Sequence, residues 1–300
     1  MPVSGKTIRR RIRSVANTRK ITKAMEMVSA SKMRRATERV VSSRPYARVA
    51  WETIQRLTAQ GEQRLHPLLV SRQEIKQVGV VLLSSNRGLC GGFNANVAQK
   101  ALQLIKQQRS EAIISCLTLG KKGRDYIRRR GAQVTADFPK ADVTTDTKDI
   151  LPLARLLVQD FLAGKFDAVY LVYTDYVSSL RQIPRVKQLL PLETTTPDEQ
   201  LGNVSGESVA ASQSNGTEYI FEPSVQEVLD EMVPRLLEVQ VYQAVLESEA
   251  SEHSARMLAM RNASQAAEDM IGELQLAYNQ QRQAAITREL AEITAGASAL

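Results

Sequence analysis

IRSVANTRKITKAMEMVSASKMRRA, running from Ile12 to Ala36, sets the architecture. Ile12, Val15, Ile21, Met25 and Val28, with Ile8 just upstream, recur at spacings of three and four, the signature of one helical face. The pattern predicts a helix from Gly5 to about Leu57, with Pro45 expected to kink or break it near Arg44. At about 1.5 Å per residue such a helix reaches roughly 75 Å, longer than a small domain is wide, so it needs a partner. The other end of the chain offers one. From Ser224 to about Thr294, Val225, Val228, Leu229, Met232, Met257, Met260, Met270, Leu274, Ala277 and Ala284 mark a second helix, on the order of 100 Å if continuous, with Pro234 as a kink. Residues 1–50 hold 14 Lys/Arg against Glu26 and Glu38, whereas residues 224–300 hold five Arg against 12 Asp/Glu. Two long helices of opposite sign invite antiparallel pairing.

The middle of the chain reads differently. QVGVVLLSS (Gln77 to Ser85) suits a buried strand and is followed by the glycine-rich RGLCGGFN (Arg87 to Asn94) and a helix to about Arg109. Ala112 to Leu119, Ala132 to Phe138 and Asp167 to Tyr173 are further strands, with helices over Lys121 to Arg130 and Thr147 to Ala163. Strand and helix alternating in this way predict right-handed crossovers onto a mainly parallel, Rossmann-like sheet of about five strands. Gln182 to Leu192, carrying Pro184, reads as an edge strand. The Thr/Ser/Gly/Asn-rich stretch 193–217 reads as an exposed, mobile loop. The expected organisation is therefore an α/β class chain: a shaft helix over 1–60, a head domain over 61–222 and a second shaft helix over 223–300.

Composition narrows the chemistry. No apolar run approaches the roughly 18 residues of a membrane span, and the basic N-terminus lacks the apolar core of a secretory signal. Cys90 and Cys116 are the only cysteines and show no metal-ligand spacing. The glycines of RGLCGGFN fit neither phosphate-binding pattern, and Gly120-Lys121-Lys122-Gly123 lacks both the first glycine and the hydroxyl of a P-loop, so tight turns are the expected role. His66 and His253 are expected to be solvated helix residues, and the carboxylates of the last helix a polar face. No catalytic residue, cofactor site or metal site is expected. The basic arm fits either an acidic protein surface or pairing with the acidic C-terminal helix. It lacks the interleaved aromatics of a single-strand nucleic-acid binder.

Wording adds what composition cannot. Ile12 to Ala36, RGLCGGFN, SEHSARMLAMRNAS (Ser251 to Ser264) and ELQLAYNQQRQAAITRELAEI (Glu273 to Ile293) closely resemble the gamma subunits of bacterial F-type rotary ATP synthases. The likeness runs from near residue 5 to the last residue. It implies a non-catalytic central rotor whose terminal helices form an antiparallel coiled coil turning inside a ring of three alpha and three beta subunits. The middle domain would lie near the membrane c-ring and the epsilon subunit. By resemblance, the contacts to the catalytic subunits are Lys23, Met25, Arg256, Met260, Arg282, Gln283 and Thr287, and those to the membrane ring or small subunit are Tyr219, Glu222, Arg87 and Cys90. The implied location is peripheral, on the cytoplasmic face of a bacterial cell membrane, with no direct membrane span and no nucleic-acid partner. The absence of paired cysteines in the middle domain argues against thiol control. The rivals are a nucleotide-dependent enzyme built on the middle domain and an RNA-binding protein using the basic arm.

Overall fold

A computed structural model describes residues 5–59, 66–72, 74–109, 111–141, 143–144, 146–192 and 224–298. Helix α1 spans Gly5–Ala59. Then come strand β1 (Gln77–Leu83), α2 (Phe93–Gln108), β2 (Ile113–Leu119), α3 (Lys121–Arg128), β3 (Val134–Phe138), α4 (Leu151–Leu162), β4 (Ala168–Tyr176), β5 (Gln182–Leu190) and α5 (Val225–Ser298). The sheet order is β3-β2-β1-β4-β5. Its first four strands are parallel and β5 runs antiparallel to β4 at one edge, with Pro184 opposite Thr174. An edge strand tolerates the missing amide of proline because only one side of it must be bonded. The expected loop at 193–217 lies outside the described residues.

The continuous apolar run of β1 follows from a sheet covered on both faces. Val78, Val80 and Leu82 point into a core built with Val97, Ala98 and Ala101 of α2 and Ile127 of α3. Val81 and Leu83 point into the opposite core, with Leu153, Leu157 and Phe161 of α4 and Leu229, Val233, Leu236 and Leu237 of α5. Asp167 fastens the bottom of the sheet, accepting from Lys76 N, Gln77 N (2.8 Å each) and Arg72 Nη1 (2.6 Å). Burial pushes its carboxyl up, but these three bonds outweigh that and hold it below the usual carboxylate range.

The chain divides into two compact units, Met1–Ser29 with Arg256–Leu300, and Ala30–Ala255. In the first, a Cβ on Gly5 would lie 3.7 Å from the Tyr278 ring, and Arg19 Nη1 pairs with Glu268 Oε1 at 2.9 Å, so α1 and α5 run antiparallel. In the second, Ala36 and Ala250 share a buried cluster with Tyr176, and Ser43 Oγ donates to Gln243 Oε1 at 2.6 Å, again in the antiparallel sense.

Several expectations need correction. Helix α1 continues through Pro45, so of the expected kink or break the break is excluded, and α5 likewise runs on through Pro234. A proline costs a long helix one hydrogen bond and a local clash. Around Pro234, buried Val233, Leu236 and Leu237 supply compensating packing. The seam of α1 is also shifted by one position. Ile21 and Val28 are 61% and 56% exposed, whereas Ile8, Thr22, Ser29 and Ala36 are buried, a seven-residue spacing on which half-exposed Val15 also falls. Small side chains on the seam let two helices approach closely, and the larger apolar ones are left facing outward.

Candidate partner interface

Three regions bear on the expected contacts. The first is the stretch of α1 around Met25. Lys23 is exposed and pairs with Glu26 at 3.0 Å, while Met25 is half-buried and its carbonyl accepts from Ser29 Oγ at 2.7 Å. Arg256 and Met260 on α5 are buried, at 8% and 5% exposure. These two are therefore held within the chain, and Lys23 is the open cation of the group.

The second region is the C-terminal third of α5. From Met270 onward no described residue is fully buried, and Leu276, Ile286, Leu290 and Ile293 are 66%, 48%, 58% and 68% exposed. Arg282, Gln283 and Thr287 are exposed beside them, and Thr287 Oγ1 donates only back along the helix, to Gln283 O at 3.0 Å. A helix this long, with apolar side chains on its surface and no covering element among the described residues, offers a surface for another chain to cover. Its last stretch carries Arg282 and Arg288 against Glu289 and Glu292, so it presents no net charge there.

The third region is the glycine-rich loop after β1, at the point where the sheet order reverses between β1 and β4. Open α/β sheets bind ligands at such a point when backbone amides are left free to meet them. Here three amides at this corner, one at the end of the loop and two in the turn after β2, are bonded internally. Phe93 N donates to Cys90 O, Lys122 N to Ser85 O and Gly123 N to Ser84 Oγ. A Cβ at Gly120, whose φ is +106°, would collide with Ser84 O, and one at Gly123 would lie 2.6 Å from Ser84 Oγ. Gly120 and Gly123, in the turn after β2, are thus demanded by close packing against Ser84, whereas in the loop after β1 a Cβ at Gly88 or Gly91 would meet nothing within 4 Å and only the φ of +55° at Gly91 favours glycine. Asn94 holds the loop shut, its Oδ1 accepting from Ser85 N at 3.0 Å and its Nδ2 donating to Cys90 Sγ at 3.1 Å. Cys90 is consequently buried, while Arg87 and Leu89 stand out, Leu89 at 62% exposure with φ +62°. Tyr219 and Glu222 lie outside the described residues.

Sequence reasoning missed the most unusual feature of α5. Gln240, Gln243, Glu247, Ser248, Glu249, Ser251, Glu252, His253 and Ser254 are all buried, which corrects both the polar-face expectation for these carboxylates and the solvated role for His253. Ser251 Oγ donates to Thr174 O at 3.2 Å and Ser254 Oγ to Ser179 O at 2.6 Å, fastening α5 to β4 and the turn after it. Glu249 accepts from Thr144 N and Oγ1, and Lys140 Nζ meets Glu252 Oε2 at 2.5 Å. Burial pushes the Glu249 carboxyl above its usual range against the pull of Lys140 and Thr144. His66 is likewise buried. It caps a short 3-10 turn (Pro67–Leu69), its Nδ1 accepting from Leu68 N at 3.2 Å, and burial lowers its pKa despite Asp230 at 3.8 Å. A signal was present: no Lys or Arg lies between Arg235 and Arg256, so Glu247 and Glu249 have no cation three or four residues away on their own helix, as a solvated face would provide.

Among the described residues no helix is long and apolar enough to cross a membrane, and no cluster of His, Cys, Asp and Glu is arranged to hold a metal. The ATP synthase family model matches residues 4–300. ATP synthase gamma chains of Chloroflexus aurantiacus and of Azoarcus sp. strain BH72 are each 43% identical, over 99% of this chain and 99% of theirs. Among solved structures, a central-stalk chain of the Tetrahymena thermophila mitochondrial ATP synthase is 25% identical, with a TM-score of 0.60 over 81% of this chain and 99% of that one. A chain of the Euglena gracilis mitochondrial enzyme shares the fold at a TM-score of 0.66 and 17% identity, over 98% of this chain and 94% of that one. With these two long helices, the mainly parallel sheet and a match along the whole chain, the protein belongs to the ATP synthase gamma-chain family, a non-catalytic part of that complex.

Proposed function

We propose that this chain is the central rotor shaft of an F-type ATP synthase, coupling proton-driven rotation of a membrane c-ring to conformational change in catalytic beta subunits, and running in reverse when ATP is hydrolysed. The observation that carries this is the C-terminal third of α5, a slender helix whose apolar residues Leu276, Ile286, Leu290 and Ile293 have no cover among the described residues. A ring of alpha and beta subunits supplies that cover. A shaft inside a sleeve must be held without being gripped, and a surface of mixed small, apolar and balanced charged groups meets that need.

Three identical catalytic sites occupy different states only if the shaft offers each a different contact free energy. Exposed polar groups at two levels of the shaft do this: Arg282, Gln283 and Thr287 near the end of α5, and Lys23 beside Met25 lower down on α1. Arg256 and Met260, being buried, act by fixing the shape that the catalytic subunits meet. Residues 1–60 and 223–300 serve as the shaft and 61–222 as the head. Tyr219, Glu222 and Arg87 face the membrane ring or the epsilon subunit, with Cys90 holding the loop that presents Arg87. The chain is peripheral, on the cytoplasmic face of a bacterial membrane.

Mixing the purified chain with alpha and beta subunits tests this directly. One copy should enter a six-subunit ring and raise sustained ATP hydrolysis. Arg282→Ala with Gln283→Ala should weaken that stimulation while leaving the melting of the isolated chain unchanged. A chain that stays outside the ring would overturn the rotor role.

A further inference from the structure

The connection that leaves β3 touches both long helices through polar bonds. Lys140 Nζ pairs with Glu252 Oε2 at 2.5 Å, with both side chains under a tenth exposed. Thr144 donates to Glu249 from its backbone N at 3.0 Å and from its Oγ1 at 2.5 Å. On the other side of the same residue, Arg39 Nη1 of α1 donates to Thr144 O at 2.8 Å. Lys140 O in turn accepts from Asn86 Nδ2 at 2.9 Å, which leads into the glycine-rich loop after β1. Helices α1 and α5 and two connections of the sheet thus meet at Lys140 and Thr144.

Buried ion pairs and hydrogen-bonded carboxylates are a poor way to gain stability, because well-packed apolar groups of the same volume do as well or better. What they provide is direction. An apolar contact tolerates sliding, whereas a hydrogen bond near 2.5–3.0 Å weakens steeply once its partners shift or tilt. Lower on α5, Leu229, Val233, Leu236 and Leu237 hold the helix against the sheet by apolar packing that resists separation more than rotation. The polar cluster resists the tangential displacement that apolar packing permits, and it does so for both helices at one place.

Resting on the rotor role, we propose that Lys140 and Thr144, together with Arg39, Glu249 and Glu252, form the joint through which torque passes between the two long helices and the sheet. These are positioning residues; none contacts a reacting group. Loosening the joint lets the head lag the shaft, so ATP hydrolysis in the ring continues while its work reaches the membrane ring incompletely.

The test uses the full chain assembled with the catalytic ring, the epsilon subunit and the membrane sector in sealed vesicles, reading ATP hydrolysis and proton uptake together. Lys140→Met and Arg39→Met should keep hydrolysis near that of the unaltered complex while protons taken up per ATP fall at least about two-fold, within the range of coupling changes that network mutations produce. The reversed pair, Lys140→Glu with Glu252→Lys, should recover the ratio. Arg39 lies at a partly exposed position, so Arg39→Met keeps the test decisive should the buried variants fail to assemble. An unchanged proton-to-ATP ratio in assembled Arg39→Met complexes would sink the joint. If the unaltered chain itself supported no proton uptake, the rotor role would fail instead.

Discussion

Between Gln240 and Ser254 helix α5 buries Gln243, Glu247, Ser248, Glu249, Ser251 and Glu252, whereas between Leu276 and Ile293 it leaves Leu276, Ile286, Leu290 and Ile293 in solvent. One helix inverts the usual assignment of polar to outside and apolar to inside. The difference lies in what each stretch can reach. In the middle, Lys140, Thr144, Thr174 and Ser179 supply a charge, an amide and carbonyls to Glu252, Glu249, Ser251 and Ser254, so the burial of these four is compensated, while Ser248 Oγ has no hydrogen-bond partner among the described residues. Toward the end, no element among the described residues covers the leucines and isoleucines of α5. Burial here follows available partners more closely than side-chain class. The exposed end is therefore the part of the molecule written for another protein.

Breaking the middle should cost most. Lys140→Met removes one partner of a buried ion pair, Lys140–Glu252, and should destabilise the isolated chain by about 3–5 kcal/mol in a denaturant melt. A loss below about 1 kcal/mol would mean that the pair is wetter than its burial suggests. Glu249→Gln sharpens the comparison through pH. With the folded pKa raised above the ordinary carboxylate value, native Glu249 binds its proton more tightly than the unfolded chain does. Its contribution thus turns unfavourable as pH rises through the ordinary value toward the folded one, and stays so above it. The glutamine variant should gain stability over the native chain at neutral pH and lose that advantage in acid, as followed by thermal melting from pH 4 to pH 8.

Smaller effects belong to the other unit. Arg19 and Glu268 are 44% and 58% exposed, so Arg19→Ala should cost no more than about 1 kcal/mol, and less in high salt. At the far end, Leu290→Ala with Ile293→Ala should leave the isolated chain within about 0.5 kcal/mol of its original stability. The same pair should slow ATP hydrolysis in the assembled ring. A large loss of stability in the isolated chain would show that α5 covers its own end after all.

Much of this was legible in the sequence because local signals and tertiary role agreed. QVGVVLLSS reads as a buried strand, and Gln77–Leu83 within it is one, covered on both faces. Pro184 marks an edge strand, and β5 is the edge. Pro152, lacking an amide, fits the first turn of α4, which begins at Leu151 behind a 3-10 turn (Thr147–Asp149), later than the expected start at Thr147. Where long-range contacts decide, the signal failed. Thr22 and Ser29 lie on the α1 seam although Ile21 and Val28 are the more apolar residues, and their burial leaves no hydroxyl unpaired because Thr22 Oγ1 donates to Arg19 O and Ser29 Oγ to Met25 O. The buried acids looked solvated because their partners, Lys140 and Thr144, lie more than a hundred residues away. Among the residues named by resemblance, exposure separates Arg282, Gln283, Thr287, Lys23 and Arg87 from buried Arg256, Met260 and Cys90, and no sequence pattern announced that division.

The antiparallel pairing of the first helix with the last also governs how the chain is made. Arg19 and its partner Glu268 are 249 residues apart, and Ile8 and Ala36 pack in units that likewise need α5. At roughly 5–20 residues per second, α1 leaves the ribosome some tens of seconds before its partner is synthesised. During that interval a strongly basic helix with an uncovered seam must wait inside a cell full of polyanions. Newborn chains are thus most exposed to chaperones and proteases at their N-terminal ends, and a stop codon anywhere before the final helix condemns the beginning of the protein along with its end.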